Sequence, residues 1–110
     1  MINELQNLVL ELDVETLSTL QENDYKNFIL NFFSKVNQLK RKGLIIDDLF
    51  KRYIDARYFD ISDYFDENPV YEERIQDIFT ELTEFCSPPK FWNTPFEEYM
   101  KVKWGIDINK

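Results

Sequence analysis

The sequence predicts an all-α fold, a single-domain bundle of four to five amphipathic helices over residues 1–110, on three observations. Apolar residues recur at three- and four-residue spacing in several separate segments, the period that aligns one stripe along a helix. Residues that start or stop helices bound these segments. No stretch of four or more residues alternates apolar with polar as a half-buried strand must. With 110 residues, 44% hydrophobic and 16% aromatic, and only two glycines and four prolines, the chain has the composition of one packed core rather than of a disordered segment.

Ile2, Leu5, Val9 and Leu12 mark a first helix over 2–12. Asp13 can cap the next segment, in which Leu17 and Leu20 continue the pattern as a second short helix or a bent continuation of the first. From Asn23 or Asp24 as cap, Tyr25, Phe28, Ile29, Phe32, Phe33, Val36 and Leu39 form the most regular apolar face, predicting a helix over 24–42. Lys40, Arg41 and Lys42 before Gly43 read as a helix terminus rather than a nucleic-acid patch, cations facing the negative end and glycine supplying a left-handed turn. Gly43 to Ile46 is the best strand candidate, and it is short.

Asp47 or Asp48 can cap a segment with Leu49, Phe50, Tyr53, Ile54 and Arg57 at helical spacing, ending near Phe59. From Asp60 to Asn68 the chain reads as an irregular connection or one short helical turn. Asn68-Pro69 then suits a helix start. Tyr71, Ile75, Ile78, Phe79, Leu82 and Phe85 give a helix over 70–86, stopped by Ser87-Pro88-Pro89. Thr94-Pro95-Phe96-Glu97 has the form of a capping box and opens a helix over 95–104, with Phe96, Tyr99, Met100 and Lys103 or Trp104 on one side and Gly105 at its end.

Catalytic chemistry finds little support in these residues. There is no histidine, so the usual general base and metal ligand are missing. The single cysteine, Cys86, comes after Phe85 at the end of an apolar segment and is expected to be a small buried hydrophobe. Gly43 and Gly105 stand alone, which does not make a phosphate-cradling loop. Asp60 to Glu67 lacks the central glycine and the terminal glutamate of a calcium loop. The expectation is a protein that is no enzyme and holds no cofactor and no metal. Asn3, Glu4, Gln6 and Asn7 interrupt the first ten residues, unlike a signal peptide, and no apolar run exceeds three residues. A soluble cytoplasmic protein without a membrane partner is therefore expected.

Charge is distributed unevenly. The net charge is −8, and between Asp47 and Glu84 twelve acids face only Lys51, Arg52, Arg57 and Arg74, while the flanking parts are near neutral. Such a segment repels nucleic acid and anionic membranes. Tyr58, Phe59, Tyr64, Phe65 and Tyr71 are interleaved with its acids, and aromatics beside charges are the residue types that anchor interfaces. The candidate partner-binding residues are therefore Asp60, Asp63, Tyr64, Asp66, Glu67, Tyr71, Glu72, Glu73 and Asp77, facing a basic protein.

The run Ile78-Phe79-Thr80-Glu81-Leu82-Thr83-Glu84-Phe85-Cys86, leading into Ser87-Pro88-Pro89 and a final capped helix from Pro95 to Trp104, resembles the small helical immunity proteins of bacteria, of the colicin D and contact-dependent inhibition types. The N-terminal part, residues 1–46, is similar only in its pattern of short helices. The resemblance implies a bundle that neutralises a cognate nuclease toxin domain, often one acting on tRNA, by placing acids in its basic cleft. It carries over no residue by position. Two other classes share the acidity: a phage-encoded nucleic-acid mimic that inhibits a nuclease or restriction system, and a non-enzymatic adaptor subunit. A mimic should spread its carboxylates along the whole surface, whereas here the flanks are near neutral, favouring a compact patch.

Overall fold

The computed structural model describes residues 2–85 and 87–108, without the side chain of Ile2. The reading of Cys86 as a buried hydrophobe lies outside the described residues. Among those described there are six α-helices, two single 3-10 turns and no strand. The helices are α1 (Ile2–Val9), α2 (Val14–Thr19), α3 (Glu22–Arg41), α4 (Asp48–Ile61), α5 (Pro69–Leu82) and α6 (Phe96–Trp104), with 3-10 turns at Ser62–Tyr64 and Phe91–Asn93. The all-α expectation holds, with one helix more than the four to five read from periodicity. The Cα radius of gyration is 13.5 Å, close to the ~13 Å of a compact 100-residue domain.

Two aspartates explain the extra break near the N-terminus and the start of α4. Asp13 Oδ1 accepts from the Thr16 N–H at 2.7 Å, so α2 is a separate helix and not a bend of α1. Asp47 Oδ1 likewise accepts from the Phe50 N–H at 2.8 Å. At the other end of α3, Gly43 takes φ 114° and the Leu44 N–H reaches back to Leu39 O at 2.9 Å, closing the helix; the strand candidate at 43–46 is a turn and loop. Pro95, not Thr94, occupies the cap position of α6 and has no side-chain acceptor, so the expected box does not form.

The apolar stripes meet as their spacing predicts. Leu5, Val9, Leu12, Leu17, Ile29, Phe33, Val36, Ile75, Ile78 and Leu82 are fully buried, each contributing roughly 1.5–3 kcal/mol of transfer free energy. α1 lies on α3, α2 on α5 and α3 on α6. Phe33 is surrounded by rings, with centroids at 5.3 Å to Phe91, 5.8 Å to Tyr99 and 5.7 Å to Trp104. Phe91 enters this group from an unexpected 3-10 turn, which Lys40 fixes by donating to Phe91 O at 3.0 Å and Trp92 by donating to Leu82 O at 2.8 Å. Two residues that the periodicity assigns to apolar faces are outside the core instead: Leu49, in the first turn of α4, and Phe85, beyond the end of α5.

Candidate functional site

The acidic stretch lies where α4 turns into α5. α4 runs two residues past its expected end, because Ile61 is buried and continues the Phe50–Ile54 stripe. Asp60 is thereby on a helix, and the connection shrinks to the 3-10 turn and a few residues before Pro69. Asn68 helps to close it by donating from Nδ2 to Tyr64 O at 3.0 Å. Phe65 is buried and packs at 6.0 Å on Tyr71 and 5.4 Å on Tyr58, so the aromatics of the connection pin it down while its acids point outward.

Asp60, Asp63, Asp66, Glu67, Glu73 and Asp77 are exposed, Glu72 is partly exposed, and Tyr64 is 52% exposed. None of Asp60, Asp63, Asp66, Glu67 and Glu73 makes a hydrogen bond or ion pair among the described residues. Glu72 is engaged locally, accepting from Gln76 Nε2 at 3.3 Å.

Tyr71 must be corrected. It is buried and its hydroxyl donates to Leu12 O at 2.8 Å, so it ties α5 to the turn between α1 and α2 and offers no ring to a partner. Burial, with Asp13 and Tyr64 adding and Arg57 opposing, pushes its hydroxyl pKa up to about 12. Tyr64 and Phe59, 77% exposed, are the aromatics left on the surface of this region. Sequence reasoning names Phe59 among the aromatics of interface type but leaves it out of the candidate partner-binding residues; its position off the Phe50–Ile54–Ile61 stripe is the signal that it faces water.

Beside the acids a recess of about 240 Å³ is lined by Asp13, Arg57, Asp60, Ile61 and Tyr64. The Arg57 Nε is buried without a hydrogen bond, and its charge shares the recess with the two aspartates. Asp77 belongs to a different face, towards α3 and α6. Although the residue as a whole is exposed, partial desolvation of its carboxyl raises its pKa, with Glu73 adding to this, Lys103 opposing it and Glu81 adding again. Glu81, one turn on, is fully buried: Tyr99 Oη donates to its Oε1 at 2.6 Å, and Lys103 Nζ is 3.2 Å from Oε2. Since Oε2 has no directed hydrogen bond, the Lys103 contact is Coulombic. Trp104 Nε1 donates to Tyr99 Oη at 3.1 Å and completes the chain of contacts. This network joins α5 to α6 and is a structural tie. Periodicity conceals it, because Glu81 sits within a helix otherwise read through its apolar residues.

Among the described residues no group of three or more histidine, cysteine, aspartate or glutamate side chains is arranged to hold a metal ion. No helix among them is long and apolar enough to cross a membrane. The chain matches no known family, no characterised protein and no solved structure.

Proposed function

We propose that the chain is an inhibitory binding protein that neutralises a basic nuclease domain, as an immunity protein does for a toxin. The observation that carries this reading is the set of exposed, unpaired carboxylates of Asp60, Asp63, Asp66 and Glu67 beside exposed Tyr64 and Phe59. Asp63, Asp66 and Glu67 have no internal cation in an ion pair and keep their attraction for an external one, while Asp60 shares its recess with Arg57; adjacent rings supply contacts that hold once water is expelled. Covering a cationic cleft in this way excludes the nucleic-acid phosphates that must enter it. The bacterial immunity assignment comes from the resemblance; the acidic, aromatic surface supports the broader reading of a basic partner.

Isolation of the partner tests the proposal. The tagged chain is recovered from its own cells at low salt and the proteins released at high salt are identified. A released protein with a basic nuclease domain, whose cleavage of RNA or DNA stops on adding the purified chain, is the expected result. A nuclease that stays fully active while bound, or recovery of no basic protein, would overturn it.

A further inference from the structure

Between α4 and α5 lies an open groove of about 290 Å³ floored by Ile54, Tyr58 and Phe79 and walled by Asp55 and Thr80. Phe85 stands at its edge, 85% exposed. The backbone holds it there: Glu84 takes φ 63°, ending α5, and the Phe85 N–H donates to Thr80 O at 2.9 Å. On the α4 side Phe59 comes one turn after Asp55, outside the lining, and is likewise exposed. Large exposed apolar side chains bordering an apolar floor mark an interaction surface.

The charge of the groove specifies its occupant. Asp55 is the one charged residue in the lining, and it has no hydrogen bond or ion pair among the described residues. Lys51 and Arg52 lie about a turn earlier on α4, outside the lining. Gln76, also in the lining, is held by Glu72, and Tyr58 in the floor packs on Phe65 of the acidic connection. The unpaired acids of the junction follow the groove along the chain, Asp60 at the end of α4 and Asp63 in the 3-10 turn beyond it. The groove's volume is at the small end of sites that take free small molecules, ~300–1,000 Å³, and suits one or two side chains of a larger partner.

We propose that this groove receives an amphipathic basic segment of the protein partner. Its apolar side chains lodge on Tyr58 and Phe79 beside Phe85, and its lysines or arginines meet Asp55 and the acids of the α4–α5 junction. The proposal rests on the reading of a basic partner and adds where that partner's apolar anchor goes.

The test uses the full chain and two synthetic 16-residue peptides of identical lysine, leucine and phenylalanine composition, one with its apolar residues on one helical face and one scrambled. The amphipathic peptide is expected to bind at least tenfold more tightly and to shift amide resonances over 54–59 and 76–85. Thr80→Arg and Phe85→Ser, both checked for unchanged helicity, should each weaken that peptide at least tenfold. Equal binding of the two peptides, or shifts confined to 60–67, would mean charge attraction alone and would overturn the groove. Concentration-dependent self-association abolished by the same variants would assign the groove to a second copy and overturn it too. The two proposals fail separately. If capture of a basic protein from cells is lost on charge reversal at Asp63, Asp66 and Glu67 but not in Thr80→Arg or Phe85→Ser, only the groove is wrong; if no basic protein is captured, the partner reading is wrong.

Discussion

Tyr64 and Tyr71, seven residues apart in one acidic stretch, have opposite surroundings, and the difference can be measured. Tyr71→Ala should cost about 3–5 kcal/mol, as for other large buried rings, and Tyr71→Phe about 1–3 kcal/mol, because the Leu12 carbonyl loses its donor. Tyr64→Ala, half in water, should stay within about 0.5 kcal/mol in urea unfolding. A large loss there would make Tyr64 a core residue and strip the proposed surface of a ring. The sequence contained the clue for Tyr71, since it falls on the Ile75–Ile78–Leu82 stripe; an aromatic suits a core and an interface equally, and only three-dimensional packing separates them. Asp77 gives a prediction in pH. Its raised pKa means the folded chain holds the proton to higher pH than the unfolded chain does, so its contribution is complete below the ordinary carboxylate range and is lost as pH rises through the raised value. Asp77→Asn should therefore raise the urea midpoint at pH 7, and the gain should shrink towards pH 3. A gain that is constant with pH would show that the cause is not ionisation.

Helix boundaries were legible wherever a single nearby residue decides them. Asp13, Asp47, Gly43, Pro69 and Gly105 act on backbone groups within a few positions, and each does so where its identity suggested. Two local readings fail, since α3 starts after Gln21 rather than at an Asn23 or Asp24 cap, and Pro95 rather than Thr94 precedes α6. The other misses depend on more than the nearest residues. The turn at Phe91–Asn93 exists because Phe91 packs on Phe33 and Tyr99, and Phe85 leaves the α5 stripe because the helix stops at Leu82 in a left-handed turn at a glutamate. The tie between α5 and α6 is of the same kind, since nothing local pairs Glu81 with Lys103. Lys103→Ala leaves a buried carboxylate with Tyr99 as its remaining partner, and should cost about 1–3 kcal/mol, below the ~3–5 of a fully buried pair because the Lys103 side chain is partly in water. Adding Glu81→Gln to that variant should recover part of the loss, as a neutral amide is less costly to bury than an unpaired charge. Denaturant midpoints of the single and double variants check this; a double variant less stable than Lys103→Ala would show that the carboxylate's bond to Tyr99, not its pairing with Lys103, dominates.

At the scale of the whole molecule, the charge asymmetry was readable from composition, whereas the groove beside it was not, because it is formed by residues from two helices and exists only once they pack. The two features predict different kinetics for the proposed complex. Long-range attraction governs encounter and is screened over about 10 Å at 0.1 M salt and about 3 Å at 1 M, so association with the nuclease domain should slow steeply as salt rises. Dissociation breaks desolvated short-range contacts and should change much less. Reversing Asp63, Asp66 and Glu67 to lysine together shifts the net charge by +6, from −8 to −2, at sites that are exposed and unpaired, so folding should be unaffected while the association rate falls at least tenfold at low salt. Stopped-flow association over a salt series reads this directly. If the triple variant keeps both the rate and the salt slope of the original chain, the acids at the α4–α5 junction do not steer the partner, and the attraction must come from another face.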